Sequence, residues 1–265
     1  MTTNLIPFLP TSSNPKAYMK LREIFSQLAY GELSQHILGE HELGVVSPER
    51  HGALVSHINL GLNALYKRFF LKEGRIDLGV QSGMTNYILN SEYAVSNVES
   101  SALVRYLLDT PEAPFMDDIH KLERVLTSEE VELPLNDEAE SYACFTPSQT
   151  SLRIPIDIAS PTSSTPDYLK TSQLTLVYRA NHPPIQIVDG VVDTDMEVYL
   201  PASHLEALLY FVASRVNNPI GMTNEFHAGN SWAAKYEMEC QKLEGFNLQI
   251  DNMSQHTEFE HRGWI

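Results

Sequence analysis

A helix with apolar residues on two faces constrains this chain more than any other stretch. Between Leu200 and Gly245, Leu205, Leu208, Leu209, Val212 and Val216 recur at intervals of three and four, which lines one side of a helix. Ala207, Tyr210 and Phe211 form a second side. A single core occupies one stripe of such a helix, so the second stripe is expected to meet another surface, and another copy of the chain is the expected one. A second helix follows, with Trp232, Tyr236, Cys240 and Leu243 on one face, Asn230 or Ser231 as its expected N-cap and Gly245 at its C-terminal end.

The N-terminal part repeats this character. Asn14, Pro15 and Lys16 open a helix striped by Ala17, Leu21, Ile24 and Leu28 that ends near Gly31, and a short turn is expected through Leu38. Ser47 and Pro48 then start a longer helix with Leu54, Ile58, Leu62, Leu65 and Phe69 on one side and Val55, Leu60 and Ala64 on the other. Lys67, Arg68, Lys72 and Arg75 close it, where cations favour the helix dipole or form a docking patch for an acidic surface.

From Glu73 to Leu200 short alternating runs replace the helical period, punctuated by Gly and Pro. Strands are expected at 75–80, 86–89, 119–126, 143–145, 151–154, 174–179 and 197–200, with Ser100 to Leu108 as a short helix. Ala159 to Thr165 has the composition of an exposed, mobile hairpin tip. The expected fold is therefore α+β. Residues 1–72 and 201–248 would form a discontinuous helical bundle, 73–200 an inserted β-rich domain, and 249–265 a separate C-terminal tail. That tail carries Phe259, Trp264 and Ile265, an unusual apolar load for a free terminus and one that asks for a partner.

Charge and chemistry narrow the function. The chain of 265 residues carries a formal net charge of −16, yet residues 1–75 are slightly basic and the acidity belongs to the remainder. Such a surface repels phosphates, which argues against gripping nucleic acid and fits either plain solubility or a wall past which a polyanion slides. No apolar run approaches the roughly 18 residues of a membrane span, and Met1 to Pro10 lacks the pattern of a secretory signal, so the expected location is the cytoplasm. Cys144 and Cys240 are expected as reduced core thiols.

Gly229 to Ala233 has most of a nucleophile elbow around Ser231, with His204 or His227 as a conceivable base, but an elbow needs a strand before it, and a helix cap is the better account. Asp193, Asp195 and Glu197 would align on one strand face. Val198 stands where a calcium loop of the EF-hand type has glycine, so a solvated row is expected rather than a metal site. The histidines, including the pairs His36 and His41 or His256 and His261, lack zinc-protease spacing. No catalytic residue, metal or cofactor is expected.

Leu200 to Val216, followed by Gly229 to Glu237, resembles the head-to-tail adaptor proteins of tailed bacteriophages, in particular the tail tubular protein A type of short-tailed phages. The stretches Leu133 to Glu138 and through Tyr178 and His182 are similar in order and character, and the resemblance covers about two thirds of the chain. It implies a non-enzymatic virion protein at the head–tail junction, present in the host cytoplasm during assembly. In that family a homo-oligomeric ring, commonly of twelve copies, joins the portal protein to the tail nozzle protein. Genomic DNA passes through its lumen without specific binding. The resemblance places Tyr210, Phe211, Ala207 and Leu60 at the subunit interface and Phe259, Trp264 and Ile265 on the portal. Another tail-tube or neck-completion protein is the alternative within this class, and a serine hydrolase using Ser231 the alternative outside it.

Overall fold

The computed structural model describes residues 18–34, 46–217 and 223–246. Helices and antiparallel sheets are both present, and among the described residues every pairing between strands is antiparallel, so the chain is α+β. The described residues fall into two compact units. The first runs up to Ile58 and resumes from Gln186 to Leu243; the second comprises Asn59–Ile185 and the few described residues from Glu244 onward.

In chain order the first elements are β1 (Tyr18–Lys20), α1 (Leu21–Tyr30) and α2 (Pro48–Arg68), the last crossing from the first unit into the second. Leu21, Ile24, Phe25 and Leu28 bury the expected stripe of α1. Its start differs from expectation: Asn14 to Ala17 lie outside the described residues, and 18–20 form a strand rather than a first helical turn. The reason is tertiary. The amides of Leu21 and Arg22 donate to the carbonyls of Met196 and Thr194 at 3.1 and 2.9 Å, and the Lys20 amide donates to the Glu23 carboxylate at 3.3 Å, so three amides at the open end of α1 find partners.

The second unit contains β2 (Glu73–Gly79), β3 (Asn86–Ile88), β4 (Leu107–Leu108), β5 (Ile119–Thr127) and β6 (Glu132–Leu133). It continues with β7 (Phe145–Ser148), β8 (Ser151–Arg153), a single-turn helix α3 (Ile156–Ala159) and β9 (Gln173–Ala180). One sheet has the order β4-β2-β9-β5-β6 and the other β3-β8-β7. Ile76, Leu78, Leu122, Val125, Leu174, Leu176 and Tyr178 turn one side of the larger sheet into the core. Tyr106 stacks on Tyr93 and meets Tyr87 edge-on, and its hydroxyl both accepts from the amide of Ile88 and donates to its carbonyl, so a side chain closes the edge of β3.

Three local expectations are corrected here. Ser100 to Leu108 is not a helix but a loop ending in β4. The Ser100 hydroxyl donates to the Glu92 carbonyl and the Arg105 guanidinium to the Ser100 carbonyl, side-chain bonds that compete with a helical ladder. The strand placed at 143–145 begins only at Phe145, because Cys144 instead bridges to Leu135. Ala159 to Thr165 is no hairpin tip: it leaves α3, and the amide of Thr162 bonds the hydroxyl of the buried Thr165 at 2.9 Å.

Back in the first unit, β10 (Glu197–Tyr199) pairs with β1, and α4 (Leu205–Val216) and α5 (Thr223–Gly245) follow as the last helices among the described residues. The acidic row is also corrected. Only Glu197 lies on a strand; Asp193 and Asp195 sit in the preceding turn, where Asp195 takes Arg22 at 2.7 Å and Lys20 at 3.3 Å.

Candidate interaction surface

The double-faced helix is present as α4, and its second face is covered by the chain's own last helix. A short 3-10 turn, Ala202–His204, follows Pro201 and leads into α4, whose Leu208, Leu209 and Val212 are buried. The Tyr210 ring lies 5.6 Å from Trp232 and the Phe211 ring meets Tyr236 edge-on at 5.4 Å, so α5 supplies the surface that was expected from a second copy. Ala207 is fully buried within the chain. Tyr210 and Phe211 are half-buried, and Leu60 on α2 is half exposed. Phe259, Trp264 and Ile265 lie outside the described residues.

Cations edge the aromatic cluster. Lys235 Nζ stands 3.9 Å over the Trp232 ring and Arg215 covers Phe211 at 5.3 Å, contacts that hold aromatic faces at a wet boundary. The Tyr210 hydroxyl donates to Glu206, and that bond, with burial and the charges of Glu206, Glu32 and Glu239, pushes its pKa up to about 12. The opposite side of α5 carries Ala233, Ala234, Glu237, Met238 and Gln241, all exposed, with Met238 at 59%. Sequence patterning had assigned no partner to this side.

Ser231 is not a cap. Residues Thr223–Gly245 are helical throughout, so Asn230 and Ser231 lie inside α5, and Gly229 is tolerated there at a cost of about 1 kcal/mol. The same continuity removes the strand-to-helix turn that an elbow requires. His204 is buried with its Nδ1 3.0 Å from the Ser203 hydroxyl, and burial lowers its pKa. Ser231→Ala is expected to leave stability unchanged or raise it by about 0.5 kcal/mol through helix propensity, where a cap would lose about 1 kcal/mol. A thermal melt of the variant separates the two, and a drop in midpoint of several degrees would contradict an interior position.

Other candidate chemistry is dispersed. Among the described residues no group of three or more His, Cys, Asp or Glu stands close enough to hold a metal ion. Cys144 and Cys240 are buried thiols, and burial pushes the Cys144 pKa up to about 12. The basic cluster does not close a helix as a unit, since α2 ends at Arg68 and Arg75 stands on β2. Arg68 pairs with Glu244, Lys72 with Asp118 and Arg75 with Glu73. No helix among the described residues is long and apolar enough to cross a membrane. No protein-family model matches the chain, and no curated protein matches it either.

Proposed function

We propose that the chain is a structural virion protein, the head-to-tail adaptor of a tailed bacteriophage, built as a ring between portal and tail nozzle with the DNA channel at its centre. The finer architecture belongs to the same proposal: the terminal helices form the wall as a discontinuous bundle, and the β-rich part projects from it. One observation carries it. After α5 has covered the second stripe of α4, its own outward side still presents Ala233, Ala234 and Met238 between charged residues. Small residues flanking a flexible methionine suit close helix approach by a neighbour. The chain's acidity gives the lumen a reason to release DNA rather than hold it, within the ~8 Å over which charge is felt at physiological salt.

In this proposal Phe259, Trp264 and Ile265 anchor on the portal, Trp264 in a pocket of its own. Electron microscopy of the purified chain mixed with its cognate portal tests the whole reading. A ring seated on the portal is expected, with loss of seating when 259–265 are removed. Binding to tail tube but not portal would instead identify a tail-tube or neck-completion protein. Ala234→Asp with Met238→Asp is expected to weaken assembly about tenfold, or 1.4 kcal/mol per contact, while leaving the circular dichroism melt in place. Unaltered assembly would remove α5 from the interface.

A further inference from the structure

The outer side of the five-stranded sheet is a ladder of charges in which cations outnumber carboxylates. Glu73 is shared by Arg75 at 2.9 Å and Arg124 at 3.7 Å, and Glu123 by Lys121 at 3.0 Å and Arg179 at 3.2 Å. Arg75 and Arg124 stand opposite Val177 from either side, and that valine is only 1% exposed. Arg124 and Arg179 lie largely covered, whereas Arg75 and Lys121 reach solvent with side chains 60% and 66% exposed. Asp77, the next carboxylate along β2, accepts from the Thr175 hydroxyl. His120, on the same strand as Lys121, has its pKa lowered by burial first, then by the charges of Lys67 and Arg179.

The complement lies on the same sheet. No Lys or Arg occurs from Val125 to Leu152, a stretch that contains Glu129, Glu130, Glu132, Asp137, Glu138 and Glu140. All six are exposed, and none makes an ion pair among the described residues. The turn between β5 and β6 is held firmly, with the Thr127 amide on the Val131 carbonyl at 2.9 Å and Glu130 in the left-handed region at φ 60°. Six residues of strand separate Lys121 from Thr127 and the turn that carries Glu129 and Glu130, roughly 20 Å, well beyond the ~8 Å screening length, whereas Glu132, opposite Leu126, is a diagonal neighbour of the largely covered Arg124. Within one copy the turn carboxylates therefore leave the charge of Lys121 standing.

We infer that Glu129, Glu130 and Glu132 of one copy dock on the Arg75 and Lys121 ladder of the next, a head-to-tail contact between the β-rich parts of neighbouring subunits. Two different patches on one molecule make a heterologous contact, the kind that closes into a ring. Copies that each carry −16 repel, so a contact at which that charge is locally reversed is favoured, and the ladder is such a place. The inference rests on the ring proposed above and assigns it a second, polar contact.

Charge reversal tests it on the full chain with its portal. Glu129→Lys with Glu130→Lys and Glu132→Lys should weaken assembly about tenfold or more at low salt, and so should Arg75→Glu with Lys121→Glu. Circular dichroism melts should barely move for the turn reversal, since Glu129, Glu130 and Glu132 are exposed, and should fall modestly for the ladder reversal, which sets new carboxylates beside Glu73 and Glu123. Carrying all five reversals in one chain should restore assembly, and so should mixing the two reversed variants. Glutamine at the same positions gives a milder pair of variants, expected to fall between wild type and reversal. Wild-type copies that associate while the reversed ones associate equally well would overturn the inference and leave the ring standing. Failure of the fivefold variant to recover, with its melt intact, would overturn it too. Wild-type copies that never associate, with or without portal, would sink both, and a ladder variant that loses DNA retention instead of assembly would assign the patch to nucleic acid.

Discussion

Gly74→Val is expected to destabilise the β-rich unit by about 3 kcal/mol, at the upper end of what overpacking costs. Gly74 faces Tyr178 directly across β2 and β9, and a Cβ there would stand 2.4 Å from two ring carbons of Tyr178. The ring has no easy retreat. Its hydroxyl donates to Asp118 at 3.0 Å, Asp118 in turn takes Lys72 at 2.9 Å, and Phe115 meets the ring edge-on. Urea titration should show a lower midpoint for the valine variant, and alanine should follow the same direction less strongly. Removing the ring as well, with Tyr178→Leu, should make the valine nearly harmless, a coupling that a double-mutant cycle reads directly. An unchanged midpoint for Gly74→Val would mean that the ring does not lie over the glycine.

Acid should act through buried histidines before it reaches the carboxylates. His182 is 7% exposed, edge-on to Tyr66 at 5.5 Å, and burial, aided by the charge of Lys72, holds its pKa down to about 4. The unfolded chain binds a proton at this residue near pH 6.5 while the folded chain refuses it, so stability is fully present above 6.5 and falls until about pH 4. The span corresponds to roughly 3 kcal/mol for His182. His57, His120 and His204 are shifted the same way and add to the slope. His182→Asn should therefore be less stable at pH 7.5 yet lose less between pH 6.5 and 4.5 than the parent does. Parallel pH profiles for the two proteins would rule His182 out as the source.

Much of the fold was legible where burial on one side imposes a period. The strands expected at 75–80, 119–126, 174–179 and 197–200 correspond to β2, β5, β9 and β10 within a few residues; the stripe of α2 is buried as read, as are Leu21, Ile24 and Leu28 of α1 and Leu208, Leu209 and Val212 of α4, while Leu205 and Val216 are only partly buried. What failed depended on distant partners. Nothing local in Tyr18–Lys20 announces a strand, because its partner is Glu197–Tyr199. Asn230 and Ser231 have capping chemistry, but capping residues also sit quietly inside a helix when the preceding residues continue it. The second stripe of α4 was visible, and periodicity says only that such a face is covered. Whether Trp232 and Tyr236 of the same chain do the covering is a question of three-dimensional packing. The charge ladder escaped notice because Glu123 and Arg124 are adjacent in sequence, and neighbours on a regular strand point to opposite sides.

That adjacency comes from the irregular pairing of β5. Ile119, Leu122 and Val125 enter the core at every third residue, and the register with β9 slips once in each interval, at His120 and at Glu123. Omitting Glu123 would leave Leu122, Arg124 and Val125 in plain alternation, with the apolar positions undisturbed. A strand built in this way tolerates a change in its own length. Insertions and deletions, ordinarily confined to loops, can here be absorbed in the middle of a sheet.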